Sequence, residues 1–272
     1  MHKKVKIGMI QFESKLGDVP YNVKKACSMI DDTAKQGAEI VCLPELFATG
    51  YDLNVLKEKI IDLSIEYFQY IKDEMSKCAK KNHIYLIAPF GEVRNMPGIV
   101  YNSALVFDDN GDCMGSFAKS HLWAMERLYF KEGNDYPVFD TKYGKIGILI
   151  CYDAGFPEAS RIICLRGAEI VFYPSAWRVQ DEDIWDLNLR QRALENSYFT
   201  CGVNRYDPSE NTLLFGKSKI CCPRGSVVFE LPKNEESVGV YEIDLNDIQV
   251  SREETPYLRD RKPKIYIDIL ND

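Results

Sequence analysis

Four times along the chain, a segment with apolar residues at helical spacing runs directly into a short apolar stretch. In the first unit Val23, Ala26, Cys27, Ile30 and Ala34 mark a helix that Gly37 closes, and "EIVCLPEL" follows as a buried strand ending at Pro44. The pattern returns as "SIEYFQYIKDEMSKCAKKN" before "IYLIAPF", as "FPEASRIICLRGA" before "EIVFYPSAW", and as "IWDLNLRQRALENS" before "YFTCGVNR". Helix and strand alternation of this kind predicts a layered α/β fold. Two further stretches, "YNSALVFDDNGDCMGSFAK" and "SVVFELPKNEESVGVYEID", look antiparallel, and the first carries the turn signal "DDNGD" between its strands. Mixed sheets are therefore expected. No low-complexity linker or composition break divides the chain, so residues 1–272 are read as one domain, with an extended C-terminal tail from about residue 253.

Composition enters as a filter. A net charge of −7 argues against a surface built to neutralise phosphates, which makes nucleic acid an unexpected partner. The apolar stretch in "MHKKVKIGMIQFES" is too short for a signal-peptide core, and no later run approaches a membrane span, so a soluble cytoplasmic protein is expected. Nine cysteines form no CxxC pair, their number is odd, and only three histidines accompany them. Most read as reduced thiols, with Cys27, Cys42, Cys78, Cys164 and Cys201 inside apolar or helical patterns.

Ligands of open α/β sheets gather beyond the carboxyl ends of strands. Glu45 follows "EIVCLP", Lys119 follows "MGSFA", and Cys151 follows "KIGILI". A thiol with an ordinary pKa of about 8.5 is only slightly ionised at neutral pH, so a nucleophilic cysteine needs help. A carboxylate can take its proton, and a lysine ammonium can favour the thiolate and then an oxyanion. The Tyr152 backbone N–H, at the turn into the next helix, would be a second oxyanion donor. Of the histidines, His2 is terminal, His83 sits before a buried strand, and only His121 lies near the three, without an Asn or Asp signature for a Cys-His pair.

The stretches "LPELFATGY", "AKSHLWAMERLYFKEGN" and "ILICYDAGFPEASRIICLRGAEIVFYPSAW", followed by "RALENSYFTCGVNR" and "YLRDRKPKIY", resemble the nitrilase superfamily of carbon–nitrogen hydrolases over almost the whole chain. The resemblance implies a four-layer α-β-β-α sandwich with two mixed β-sheets. It also implies a homodimer or higher homo-oligomer paired through the sheet-flanking helices, with no metal and no organic cofactor. Carried over by motif, the catalytic residues fall on Glu45, Lys119 and Cys151, with a second glutamate on Glu126 in "MERLYF". The implied reaction is hydrolysis of a non-peptide carbon–nitrogen bond through a cysteine thioester.

Nitrile-hydrolysing members carry Trp-Glu after the cysteine. Here Tyr152-Asp153 is similar to amidase and carbamoylase branches, which favours a small linear amide as substrate, with N-carbamoyl amines or amino acids as the alternative. A nitrilase proper and a non-catalytic interaction protein rank lower, since all three triad positions are filled. Arg178 and Arg205 are candidates to clamp a substrate carboxylate. Against that, Asp181, Glu182, Asp183 and Asp186 in "AWRVQDEDIWD" would make an acidic rim suited to an amine. Tyr51 and Trp177 are expected as apolar pocket walls.

Overall fold

The computed structural model describes residues 4–208 and 213–270. His2 lies outside them. The first sheet contains β1 (Lys4–Gln11), β2 (Ile40–Cys42), β3 (Tyr85–Val93), β4 (Val100–Phe107) and β5 (Cys113–Ala118). The second contains β6 (Val138–Asp140), β7 (Lys145–Ile148), β8 (Ile170–Ser175) and β9 (Phe199–Asn204). A small ribbon pairs β10 (Tyr206–Pro208) with β11 (Leu213–Phe215). Strands β12 (Lys219–Cys221) and β13 (Val227–Glu230) extend the second sheet, and β14 (Ser237–Asp244) returns to the first. The helices are α1 (Val19–Lys35), α2 (Leu53–Leu56), α3 (Lys59–Asn82), α4 (Glu126–Tyr129), α5 (Pro157–Leu165), α6 (Glu182–Asn196) and α7 (Asn246–Glu254).

Each main sheet has six strands, in the orders β14-β1-β2-β3-β4-β5 and β13-β12-β9-β8-β7-β6, and each mixes parallel with antiparallel pairs. Strand alternation separates two cores. Ile7 and Met9 of β1, with Ile40 and Cys42 of β2, face the second sheet, where they join Ile146, Ile148, Phe172 and Cys201. The intervening Val41 packs outward with Ala26 and Ile30 of α1 and Met75 of α3. Helices α5 and α6 cover the other sheet, giving the expected α-β-β-α layering. The helices lie close because small residues admit them. A Cβ at Gly8 would stand 2.5 Å from Thr33 of α1, and one at Gly202 would stand 2.4 Å from Leu189 of α6.

Two expectations change. Strands β13 and β14 do not pair with each other: β13 lies beside β12 and β14 beside β1, so the segment joining them crosses between sheets. That crossing is anchored by the buried Gln11, whose Nε2 donates to the carbonyls of Pro232 and Glu235, both at 2.7 Å. The tail from about residue 253 is not extended. It leaves α7 at Glu254 and continues as turns and short 3-10 helices at Pro263–Ile265 and Ile267–Leu270. No helix among the described residues is long and apolar enough to cross a membrane.

Candidate active site

The two sheets bring Glu45, Lys119, Glu126 and Cys151 to one place. Glu45 lies three residues beyond β2, in a turn where Leu46 takes a positive φ of 48°. Its Oε1 accepts from Lys119 Nζ at 2.8 Å and from Asn102 Nδ2 at 2.7 Å, while Oε2 accepts from the Ala176 N–H at 2.8 Å. Lys119 directly follows β5, its backbone held by the Asn102 carbonyl and the Gly133 N–H, each at 2.8 Å. Its ammonium also donates to Glu126 Oε1 at 2.8 Å. Glu126 opens α4, accepts from the Tyr51 hydroxyl at 2.5 Å, and accepts from the Trp123 N–H at 3.1 Å. Glu126 is therefore an interior partner of Lys119.

Glu45, Lys119 and Glu126 are all fully buried. Burial works against the charge on Lys119, yet Glu126 and Glu45 outweigh it and hold the ammonium well above the usual lysine range. Burial pushes Glu126 up, Lys119 pulls it down and Glu45 pushes it up, leaving it raised. The Cys151 thiol is pushed well above its ordinary value by burial and by Glu45, against the opposing pull of Lys119. In the resting site the sulfur is thus a neutral thiol. Its backbone sits at φ 48°, in the left-handed region that a non-glycine residue enters at a cost of roughly 1–2 kcal/mol. This turn starts the 3-10 helix Cys151–Gly155 beyond the end of β7, and Cys151 borders the pocket.

A pocket of about 410 Å³ opens over Cys151, walled by Tyr51, Trp123, Met125, Tyr152 and Trp177, with Arg178 and Asp181 among its polar lining. That size suits a small molecule. Tyr51 and Trp177 are among its lining residues, and the Tyr51 hydroxyl is committed to Glu126.

Two readings of the substrate end need correction. Arg205 does not reach the pocket. It is fully buried, its pKa drawn down by burial to about 10, and its Nη1 donates to the carbonyls of Glu45 and Leu46, both at 3.1 Å. Three of the four acids of the rim are already ion-paired. Asp181 pairs with Arg178, Glu182 with Lys217 and Lys233, and Asp186 with Lys217 and Lys219. Only Asp181 of the four acids lines the pocket. Asp153 lies outside the lining, and its carboxylate binds the Ile150 N–H and His121. Sequence reasoning missed Asn102, Ala176 and Arg205 as partners of Glu45. Ala176 directly follows the strand in "PSAW", a signal that could have drawn attention to it, whereas Asn102 lies inside β4.

Two face-to-face sheets that gather a carboxylate and an amine beside a thiol lining the pocket supply the groups that a hydrolase with a cysteine nucleophile uses. The chain belongs to the carbon–nitrogen hydrolase family, whose model matches residues 6–253. It is 33% identical to the probable nitrilase C965.09 of Schizosaccharomyces pombe, over 98% of this chain and 99% of that protein. It is 32% identical to the 2-oxoglutaramate amidase of Bacillus subtilis, over 96% of this chain and 98% of that one. A carbon–nitrogen hydrolase structure from Helicobacter pylori G27 superposes with a TM-score of 0.91 at 29% identity, covering 100% of this chain and 99% of that chain. The protein is accordingly an enzyme with an active-site cysteine, and both nitrilases and amidases are among its relatives.

Proposed function

We propose that the protein is an amidase that hydrolyses a small linear primary amide through a thioester on Cys151 and releases ammonia. The observation that carries the reading is the buried Glu45–Lys119–Glu126 cluster set against a neutral, buried thiol at the pocket floor. A neutral thiol must lose its proton as it attacks, and Glu45 is the base for that step. The tetrahedral oxyanion is held by the Lys119 ammonium and the Tyr152 N–H. Glu45 then passes the proton to the departing nitrogen, ammonia leaves, and the acyl group stays on sulfur. Water, deprotonated by the same carboxylate, attacks the thioester and releases the carboxylic acid and the free thiol. Glu126 holds Lys119 in place and helps orient that water.

Amide is preferred to nitrile because Tyr152-Asp153 follows the nucleophile where nitrile-hydrolysing members carry Trp-Glu. A panel of short amides, ureido compounds and nitriles incubated with the intact protein tests the reading. Mass spectrometry should find an acyl adduct on Cys151 with the amides, accompanied by ammonia. Conversion of nitriles alone would overturn the amide assignment. We also propose a homodimer paired through α5 and α6, which leave Ile162, Leu165 and Leu187 exposed. A monomeric mass in light scattering would refute it.

A further inference from the structure

Among the described residues, the catalytic assignment leaves one fully buried carboxylate without a task. Asp153 is fully buried two residues after Cys151 and does not line the pocket. Its Oδ2 accepts from the Ile150 N–H at 3.0 Å, and its own N–H donates to the Ile150 carbonyl at 3.0 Å. These two bonds close a loop around Cys151 and Tyr152. A closed loop is what a non-glycine residue at φ 48° needs, because the surroundings must over-determine a conformation the backbone disfavours.

The other oxygen of the same carboxylate reaches a different part of the molecule. Oδ1 accepts from the His121 N–H at 3.0 Å and from His121 Nδ1 at 2.7 Å. The charge on Asp153 sets the tautomer, with the proton on Nδ1. The His121 ring stacks on Phe156 with centroids 3.6 Å apart and an interplanar angle of 6°. His121 is two residues beyond Lys119, whose own backbone is pinned by Asn102 and Gly133. Lys119 leaves an edge strand of the first sheet, whereas Cys151 follows β7 of the second. One carboxylate therefore ties the segment carrying the ammonium to the turn carrying the thiol.

We infer that Asp153 and His121 form a strap that sets the position of Cys151 and Tyr152 relative to Lys119, and that both are positioning residues for the reaction. The inference rests on the roles assigned above to Cys151 and Lys119. Neither strap residue need touch the substrate. Their loss should therefore lower kcat and leave KM unchanged, since a misplacement of about 1 Å costs on the order of a hundredfold in rate.

Two substitutions at one site separate the strap from simple packing. His121→Phe keeps a ring over Phe156 and removes the Nδ1 donor, while His121→Asn keeps a donor near that position and removes the ring. Each is compared with the parent for ammonia release from short aliphatic amides, for alkylation of Cys151 by iodoacetamide, and for Tm. The expected result is a kcat about 10–100-fold lower in His121→Phe with unchanged KM and Tm, slower alkylation, and recovery of most of the loss in His121→Asn. A His121→Phe enzyme within about twofold of the parent in kcat and alkylation overturns the strap. So does a loss in both variants that tracks Tm. Activity surviving in Cys151→Ala would instead overturn the catalytic reading on which the strap rests. The alkylation rate reads the strap without any substrate, so the two failures are distinguishable.

Discussion

Lys119 and Lys219 are both buried ammonium groups clasped by two carboxylates, yet they sit in very different surroundings. Lys119 lies between Glu45 and Glu126, all three fully buried, beside the Cys151 thiol and under the substrate pocket. Lys219 lies between Asp186 and Glu230, whose side chains keep 36% and 37% of their surface exposed. The Lys219 carboxylates are screened by water, so removing one leaves the lysine still paired with the other. Around Lys119 every partner is locked by a further bond, Asn102 and Ala176 for Glu45, Tyr51 and Trp123 for Glu126. Water cannot replace a missing member there, and desolvated charges act on the reaction with little screening. The same local arrangement holds a surface together in one place and is poised for chemistry in the other.

The sharpest contrast comes from the interior. Cys151→Ala should fold normally and lose at least about 10⁴-fold in kcat/KM, because the nucleophile has no substitute in the pocket. Steady-state ammonia release measures it, and a variant with undiminished turnover would break the mechanism. Lys119→Met comes next. It leaves Glu45 and Glu126 facing each other without a cation, which should cost about 3–5 kcal/mol of stability by urea unfolding. Activity should fall by about 10²–10³-fold through the lost oxyanion partner. If Lys119→Met were as stable as the parent, the distinction between the two lysine clusters would fail.

The titration of the thiol sharpens the same point. Burial and Glu45 hold Cys151 well above the ordinary thiol value, against Lys119, so the thiolate fraction of the resting enzyme keeps growing as pH rises past that value. Alkylation of Cys151 should accelerate by about tenfold per pH unit from neutrality into the alkaline range, with no plateau near neutral pH. A plateau would indicate a preformed thiolate and remove the need for Glu45 to act during attack.

Legibility in the sequence follows the same boundary. Alternating helix and strand patterns carried the layered fold, since apolar periodicity is a local property. Glu45, Lys119 and Cys151 stood out because each directly follows an apolar strand, so their positions at sheet ends could be read before their neighbours were known. The partners that make the site work were hidden. Arg205 looked like a substrate clamp, and only the packing of β9 against the Glu45 turn puts its guanidinium on two backbone carbonyls. The pairing of Asp153 with His121 was hidden too, because only the joining of the two sheets brings them together. The acidic run after Trp177 looked unpaired because Lys217, Lys219 and Lys233 arrive from strands and turns much later in the chain. Helix α7 escaped because its apolar stripe is short, with Ile248 and Ser251 its buried positions.

The smallest effect belongs to the exposed cluster, and it carries a pH signature. Burial pushes Asp186 up, but its bonds to Lys217 and Lys219 outweigh that and leave the carboxyl below its ordinary value. A depressed folded-state pKa means that Asp186 contributes stability above the unfolded-state value of about 4, and that this contribution is lost as pH falls through the folded pKa. Asp186→Asn should therefore cost no more than about 1 kcal/mol at neutral pH, because Lys219 keeps Glu230 and Lys217 keeps Glu182. The difference from the parent should shrink toward zero as the unfolding measurement is carried into acid. Turnover should not change, since Asp186 does not line the pocket. A loss of several kcal/mol, or one that persists in acid, would place the Lys219 cluster with the interior one and dissolve the contrast between them.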